Sequence, residues 1–552
     1  MRARVLLSAA ALLAVGSCAQ IQQEWRAIQA ERGSMTSRAE PASTSSASVR
    51  GCEDIADAAG PNLTLSETSA QGPQEISGVQ VPAHCLVKGV IDPRTGAGNR
   101  AFGIGFELRL PADWNGRFLY QGGGGHEGII NPAIGKVPLA GSTARPALAR
   151  GYAVISTDAG HTGYDPSFAT DQQSRIDYAY NALGRATREA KALIARHYGR
   201  APDKSYAMGC SQGGRTALIA AQRFPTEYDG VVACDPAFSS ARASIASSWS
   251  VAQLMRIAPR NSARQPVLSQ ALSQADLQLL SIAILQACDD KDGLSDGLIF
   301  NHAACRFDPA QLQCARRQTV GCLSAAKVQA LRAIFAGPRD SQGRALYTNF
   351  PYDAGVAAGN WRRWYLGEAT TGAPDARHYV YGHAILTRYF MTPPQGQLEP
   401  LTVNFNDVWP QIWQQAAATD AASTYLTTFV ARGGKMIVMQ GMSDPAFSAN
   451  DVMAWYDRMA RDTGGAAGAQ AFARLFLLPG VTHCGGGNGL DDVDPLSAIE
   501  AWVEQGTAPD RMLARGTAMA DTARPICPYP AYARYNGRGD QKDAANFTCQ
   551  RP

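Results

Sequence analysis

The sequence predicts an α/β fold built on a parallel sheet, and three strand-to-loop transitions support that prediction. The apolar runs that indicate short strands lie at 204–208, 435–440 and 475–478. Each run is followed by a loop with a polar residue of catalytic type, in the chain order Ser211, Asp444, His483. Because the carboxyl ends of parallel strands meet at one edge of a sheet, we expect these three side chains to lie together.

The first transition is the run Gly209-Cys210-Ser211-Gln212-Gly213-Gly214. Apolar residues at helical spacing follow it, and Pro225 ends that pattern. A G-x-S-x-G run between a strand and a helix is typical of a nucleophile elbow, where larger flanking side chains would block the serine hydroxyl. The alternative is a chance match in a chain with 54 glycines, and the strand and helix on either side favour the elbow.

The order of the three residues is that of α/β-hydrolases. Ser211 alone is a weak nucleophile, so it needs His483 to accept its proton and Asp444 to orient the imidazole. A lone histidine or aspartate is more often a structural polar residue. The sequence therefore predicts an α/β-hydrolase fold with these three residues as a catalytic triad.

Two cysteines flank the predicted triad members. Cys210 precedes Ser211 directly, and Cys484 follows His483 directly. A disulfide between them would place their Cα atoms roughly 5.5 Å apart and hold nucleophile and base within reach of each other. The alternative is a pair of buried free thiols.

These paired Cys-Ser and His-Cys motifs resemble the tannase and feruloyl esterase family. Further stretches that resemble it are 151–161, 228–232 and 527–530. The resemblance runs from about Cys52 to Cys549. It implies a serine esterase that acts on carboxylic esters of aromatic acids through an acyl-serine intermediate.

Twelve cysteines in an exported chain imply disulfides, although sequence alone leaves their connectivity open. The pairs that the resemblance implies are Cys52–Cys85, Cys210–Cys484, Cys288–Cys305, Cys314–Cys322 and Cys527–Cys549. Cys234, after an apolar run, is left as a buried free thiol.

The first fifty residues read as an export signal and a tether. Residues 1–18 combine Arg2 and Arg4 with a short apolar core, and Cys18 fits a bacterial lipobox. Ordinary cleavage after the Ser17-Cys18-Ala19 run is the competing interpretation. Residues 19–50 are polar and predict a flexible linker. We therefore expect an exported bacterial protein, anchored as a lipoprotein or else secreted, with no other membrane contact.

Length and charge limit the remaining possibilities. A chain of 552 residues is longer than one ordinary core, so we expect a catalytic domain at 51–236 and 426–552 and a lid domain at 237–425. The formal net charge is only +4 and no basic run occurs, so a nucleic-acid partner is not expected. The oligomeric state is not indicated.

An acidic loop within the predicted lid suggests a bound cation. Residues 288–299 hold several aspartates and two glycines, without the spacing of an EF-hand. The resemblance implies a calcium loop, with ligands from Asp289, Asp292, Leu294, Asp296 and Leu298. A solvated acidic turn is the alternative. No histidine accompanies the acids, so a hydrolytic zinc centre is not expected.

A glycine-rich run at 121–128 follows a predicted strand at 118–120. α/β-hydrolases place one oxyanion donor in such a loop and the other at the N–H after the nucleophile. We therefore expect donors from Gly123 or Gly124 and from Gln212. A phosphate-binding loop is the alternative, but no Lys-Ser or Lys-Thr pair follows. His126 in this run and His161 are expected to be wall or structural residues.

Substrate contacts are predicted from the lid. Trp361 and Tyr381 would clamp an aromatic acyl group, and Arg377 would pair with a free carboxylate. Small phenolic esters of feruloyl, galloyl or chlorogenate type are the first substrate hypothesis, and terephthalate half-esters such as mono(2-hydroxyethyl) terephthalate are the second. An acyltransferase with the same triad and a non-catalytic surface binding protein are the alternatives from other classes.

Overall fold

The computed structural model describes residues 51–516 and 518–552, which form one compact unit. The predicted signal at 1–18, the lipidation site Cys18 and the linker at 19–50 lie outside the described residues. None of the helices in the described part of the chain has the length and apolar character needed to cross a bilayer.

The described chain contains a large central sheet and three small hairpins. In chain order its strands are β1 Leu63–Gln71, β2 Gln74–Ile76, β3 Val79–Val81, β4 His84–Thr95, β5 Ala101–Pro111, β6 Arg117–Gln121, β7 Ala153–Thr157, β8 Lys204–Cys210, β9 Gly230–Cys234, β10 Lys435–Gly441, β11 Ala473–Leu478, β12 Met512–Ala514, β13 Arg524–Ile526, β14 Tyr532–Tyr535 and β15 Phe547–Gln550.

Nine strands form the central sheet, in the order β1-β4-β5-β7-β6-β8-β9-β10-β11. The neighbours from β1 to β7 pair antiparallel, and all pairs from β7 to β11 are parallel. The predicted parallel sheet is thus confirmed, with an antiparallel extension at one edge. β8, β9, β10 and β11 are consecutive neighbours, so the loops at their carboxyl ends converge.

Helices cover the sheet and fill the predicted insertion. They are α1 Gln172–Ile176, α2 Ala182–Tyr198, α3 Gln212–Arg223, α4 Ser240–Ile257, α5 Gln274–Cys288, α6 Ala325–Phe335, α7 Gly359–Tyr365, α8 Val408–Thr419, α9 Thr427–Ala431, α10 Ala449–Asp462, α11 Gly465–Gln470 and α12 Pro495–Gln505. A π-helical turn at Asp177–Asn181 joins α1 to α2, and two further π-helical turns lie at His378–His383 and Leu386–Phe390.

Alternate residues of each parallel strand belong to two separate cores, because successive strand side chains point to opposite faces. In β10, Met436 and Val438 join the core that α2, α3 and α10 cover, whereas Ile437 and Met439 join the core that α12 covers. Residues 237–425, all described, add no strand to the central sheet. Much of that segment packs around a third core that includes Trp361, Tyr365 and Leu331.

All five implied disulfides are present, and Cys234 is a buried free thiol. Five disulfides indicate folding in an oxidising compartment, so the chain is an exported protein. The bond between Cys527 and Cys549 joins the start of the C-terminal hairpin to its last strand.

Candidate active site

Ser211 lies on a strained turn between β8 and α3. Its φ of 62° falls in the left-handed region, which costs a non-glycine residue free energy and is typical of functional positions. The glycines around it are required by close backbone approaches. A Cβ atom at Gly209 would lie 2.5 Å from the carbonyl carbon of Gly213, and one at Gly213 would lie 2.5 Å from the Gly123 oxygen. The elbow that the motif predicts is therefore present.

His483 and Asp444 meet at the carboxyl ends of β11 and β10. The Nδ1–H of His483 donates to Asp444 Oδ2 across 2.9 Å. Asp444 is held in turn by the N–H groups of Ala446 and Phe447, at 2.7 and 3.1 Å from Oδ1. Because a carboxylate can only accept, this bond leaves Nε2 of His483 as the nitrogen that can take a proton.

The charges around His483 favour its protonated form. Burial lowers the pKa of the imidazole, but the charge and hydrogen bond of Asp444 and the charge of Asp235 outweigh burial. The pKa of His483 therefore lies above its ordinary value of 6.5. The two carboxylates therefore make His483 a stronger base than an ordinary imidazole, which suits a general base.

The Cys210–Cys484 disulfide joins the elbow to the histidine loop, with 5.9 Å between the two Cα atoms and 274 residues of sequence between them. Ser211 and His483 accordingly line one cavity of about 480 Å³. Among the described residues no hydrogen bond joins their side chains. Such contacts are often long without substrate and tighten when it binds.

The glycine-rich loop after β6 lines the same cavity beside the elbow. The Gly123 carbonyl accepts the Gly213 N–H at 3.0 Å, and the Gly124 carbonyl accepts the Glu127 N–H at 2.9 Å. In a trans peptide the next N–H points opposite to the carbonyl, so the Gly124 N–H is turned away from Gly213. Gln212 begins α3, so its N–H lacks an acceptor in the preceding turn.

The cavity brings together most of the predicted substrate contacts. Arg377 and Tyr381 both line it. The Arg377 guanidinium donates to Asn360 Oδ1 at 3.0 Å, and Asn360 donates to the His483 carbonyl at 3.2 Å. No carboxylate within the described part of the chain pairs with Arg377, and burial lowers its pKa. A half-buried cation without a carboxylate partner is available to an anionic group on a ligand.

Trp361 does not line the cavity. Its ring stacks on Tyr365, one turn further along α7, at 4.1 Å between centroids, and packs in the third core. Trp364 lines the cavity instead, with its ring edge-on to His483 at 5.1 Å. Trp361 and Trp364 are three residues apart on α7, and the packing of that helix determines which of them faces the cavity.

His126 also lines the cavity, with Nδ1 2.9 Å from the Tyr164 carbonyl and Nε2 3.2 Å from the Tyr381 carbonyl. Burial lowers the pKa of His126. His161 instead stacks on Phe168 at 3.7 Å between ring centroids. These positions agree with the predicted wall and structural roles.

Sequence analysis missed Asp235, which follows β9 directly and is 1% exposed. One oxygen from each of Asp235 and Asp444 and a ring nitrogen of His483 lie within 4.8 Å of one another. Asp235 is polar and follows an apolar run, which is the same signal that identified Asp444. That signal was available in the sequence.

Glu127, at the end of the glycine-rich loop, is a buried carboxyl that lines the cavity. Burial raises its pKa from 4.5 to about 7, although the charge of Arg215 opposes the shift and that of Asp158 adds to it. Because the fold favours the protonated form, the contribution of Glu127 to stability is fully present below pH 4.5 and is lost as the pH rises through 7.

We expect Glu127→Gln to remove this pH-dependent loss, which amounts to about 3 kcal/mol in the free energy of unfolding. Urea unfolding of both proteins at pH 4.5 and pH 8.5 measures it. The variant should gain stability relative to wild type only at the higher pH. Glu67→Gln on the outer strand is the control and should show no such gain. Equal pH dependence in Glu127→Gln and wild type would contradict this account.

The acidic loop places three carboxylates close to backbone donors. Asp289 accepts the Gly297 N–H at 2.9 Å, and Asp292 accepts the Phe300 N–H at 2.8 Å. Asp296 pairs with the buried Arg524. Burial, with the charge of Asp296, raises the pKa of Asp292 to about 7 and also raises that of Asp289. Crowded buried carboxylates fit a hard cation. Their oxygens are not gathered within 4.8 Å as at Asp235, Asp444 and His483.

A serine on a strained strand-to-helix turn, followed in the chain by an aspartate and a histidine at the same sheet edge, defines the α/β-hydrolase class. The sequence profile described as "Tannase and feruloyl esterase" matches residues 85–550. The chain belongs to the tannase and feruloyl esterase family, a family of carboxylic ester hydrolases.

Similar proteins agree with this assignment. The chain is 40% identical to a mono(2-hydroxyethyl) terephthalate hydrolase of Piscinibacter sakaiensis, over 92% of each chain. It is 35% identical to an esterase of Xanthomonas campestris pv. campestris, over 85% of this chain and 84% of that protein. The crystal structure of feruloyl esterase B from Aspergillus oryzae shares the fold, with a TM-score of 0.75, 24% identity, and coverage of 90% of this chain and 99% of that one.

Proposed function

We propose that the protein is a serine esterase that hydrolyses carboxylic esters of aromatic acids. The observation that carries this proposal is that Ser211, on its strained turn, shares one cavity with a His483–Asp444 pair. The family and its members named as feruloyl esterases support an aromatic acyl group.

In the proposed reaction, Ser211 Oγ attacks the ester carbonyl carbon while His483 Nε2 takes the hydroxyl proton. The carbonyl oxygen becomes an oxyanion, which the N–H of Gln212 and an N–H of Gly123 or Gly124 stabilise. When the carbon–oxygen bond breaks, the imidazolium gives its proton to the leaving alcohol. Water then attacks the acyl-serine with His483 again as base and releases the acid.

The orientation of the peptide planes favours Gly124 over Gly123 as the loop donor. The Gly123 carbonyl is held by α3, which turns the Gly124 N–H the opposite way, and a Cβ atom at Gly124 would meet no heavy atom within 4 Å. Within the described chain the Gly124 N–H donates to no other backbone group, so it is available to an oxyanion.

Two substrate classes remain within this proposal. Phenolic esters of feruloyl, galloyl or chlorogenate type are the first. The second is half-esters of aromatic diacids such as mono(2-hydroxyethyl) terephthalate, and the unpaired Arg377 in the cavity wall is the observation that favours it. The name of the 40% identical relative also favours half-esters of aromatic diacids.

A substrate panel tests the function and separates the two classes. It compares kcat/KM on methyl ferulate, methyl gallate, mono(2-hydroxyethyl) terephthalate and p-nitrophenyl acetate. Arg377→Gln should lower kcat/KM on the half-ester by about 10- to 100-fold, because a charge-assisted bond is worth about 1.5–3 kcal/mol. Arg363→Gln, an exposed position on the same helix as Trp364, is the control. Failure to cleave any aromatic ester would refute the proposal.

We propose further that the acidic loop binds Ca²⁺ and orders the surrounding segment. The side chains of Asp289, Asp292 and Asp296 would hold the ion, with the carbonyls of Leu294 and Leu298. The ion would supply positive charge for these carboxylates, and no catalytic step involves it.

If this is correct, adding a chelator lowers the unfolding temperature of the wild type. A ligand at a hundred times its Kd stabilises a fold by about 2.7 kcal/mol. Asp292→Asn should already be destabilised and should not respond to the chelator. Asp290→Asn is the matched control, because Asp290 belongs to the same loop but is exposed and pairs with Lys291. Thermal unfolding with and without EGTA measures all three, and an unresponsive wild type contradicts the proposal.

The pattern before Cys18 supports lipid attachment at that cysteine after export. In a bacterial host, we expect the wild type to sediment with membranes and Cys18→Ala to be released. Equal membrane association of both proteins would argue against the anchor.

A further inference from the structure

Asp235 ties together two loops of the candidate site. Its Oδ1 accepts the Gly441 N–H at 2.6 Å, and its Oδ2 accepts the Cys484 N–H at 2.7 Å. Gly441 ends the strand that leads to Asp444, and Cys484 follows His483. Asp235 itself follows β9, which lies between the strands of Ser211 and Asp444. The buried carboxylate of Asp235 therefore fixes the backbone beside Asp444 and beside His483.

Burial and the charge of Asp444 raise the pKa of Asp235 to about 7, whereas the charge of His483 and the N–H groups of Gly441 and Cys484 oppose that shift. Asp235 and His483 therefore favour each other's charged forms, and the ionised carboxylate adds negative charge beside the imidazole. Asp235 and Asp444 both place an oxygen within 4.8 Å of a His483 ring nitrogen. Within the described chain, neither aspartate has a lysine or arginine partner. His483 is thus the cationic partner that both carboxylates share once it is protonated.

Other groups also face His483. From the lid, Arg377 opposes its protonation, whereas burial lowers the pKa of His378 to about 3 and so keeps that histidine neutral. The rings of Trp364 and Phe447 flank the imidazole at 5.1 and 5.3 Å. Asp235 and Asp444 are therefore the two anions whose charges raise the pKa of His483 against the effects of burial and Arg377.

We propose that Asp235 is a positioning residue of the active site, which holds the histidine loop and stabilises the imidazolium form of His483 beside Asp444. This inference rests on the proposed triad. His483 becomes cationic when it takes the Ser211 proton, and a second anion in a water-poor site lowers the free energy of that state. The Cys484 N–H bond keeps the imidazole aligned while the charge develops.

The pH profile of kcat/KM tests whether Asp235 stabilises the imidazolium of His483, separately from whether it holds the histidine loop in place. Activity rises with pH as His483 loses its proton. Because the Asp235 charge favours the protonated imidazole, Asp235→Asn should move this acidic limb to lower pH by about one unit. We expect kcat to fall about 10- to 100-fold, with little change in KM.

Asp353→Asn is the matched control. Asp353 is 1% exposed and bonds to the Ser443 hydroxyl and the Gly480 N–H, so it tethers the same two loops. It is not part of the three-group cluster around His483. A purely structural loss lowers kcat in either variant without moving the acidic limb.

These experiments can refute the role of Asp235 without refuting the proposed esterase function. If wild type cleaves no ester, or Ser211→Ala stays active, the triad itself is wrong. If wild type is active, Ser211→Ala is not, and the acidic limb of Asp235→Asn matches wild type, the role of Asp235 is refuted alone. Should Asp235→Asn fail to fold, Asp235→Ser keeps an oxygen for the Cys484 N–H and gives the same readout.

Discussion

Ser211→Ala should lower kcat/KM on the best aromatic ester by at least about 10⁴-fold, with substrate still bound. The oxyanion donors and the cavity remain in this variant, so a residual rate above that of water is expected. Stability should rise or stay unchanged, because alanine removes no partner that Ser211 Oγ has in the described chain. Stopped-flow measurement on p-nitrophenyl acetate should also lose its acyl-enzyme burst.

Ser244→Ala is the control for this result. Ser244 lines the same cavity, but its hydroxyl already donates to the Ala241 carbonyl at 2.7 Å. Its replacement should change kcat/KM by less than about tenfold. If Ser211→Ala keeps wild-type activity, the nucleophile lies elsewhere.

Replacing both Cys210 and Cys484 by alanine should reduce stability and activity together. In the chain-entropy description, closing a loop across 274 residues contributes about 5.5 kcal/mol, and measured values usually fall below this. The histidine loop would then be held by the Asp235 bond and by packing alone. A displacement of about 1 Å in a catalytic group can cost about 10²-fold in rate.

The Cys314–Cys322 pair offers a comparison, since it closes only eight residues and lies within residues 237–425. Its removal should cost at most about 2.5 kcal/mol, with kcat/KM unchanged. Urea unfolding and ester hydrolysis of the two double variants measure both effects. Full activity without the Cys210–Cys484 bond would show that packing alone positions His483.

Local patterns gave much of the fold. The strands before Ser211, Asp444 and His483 were predicted within a few residues, because each is a short apolar run ended by a glycine-containing loop. The helix at Pro495–Gln505 shows a similar local pattern, since its buried residues Leu496, Ile499 and Trp502 recur at helical spacing. A cap sets the start of α1 at Gln172, since the side chain of Asp171 accepts the Ser174 N–H at 2.8 Å.

The site residues that were not predicted from the sequence depend on packing between distant parts of the chain. The sequence does not show which of Trp361 and Trp364 lines the cavity. That depends on which face of α7 packs against the third core. Asp235 carried a usable signal. Its importance, however, follows from the sheet order, which inserts β9 between the strands of Ser211 and Asp444. The order of the strands along the chain does not show that β9 lies beside both of these strands.

The contact between Gly213 and the glycine-rich loop limits which residues of such an enzyme can vary during evolution. Both proposed oxyanion donors are main-chain groups locked to each other by the Gly213–Gly123 hydrogen bond, whereas Arg377, Tyr381 and Trp364 reach the cavity as side chains from the insertion. Substitutions in the insertion can therefore alter which acyl group is accepted without disturbing bond cleavage. A single methyl group at Gly213 would disturb cleavage for every substrate. The family can diversify in recognition while its reaction stays constant.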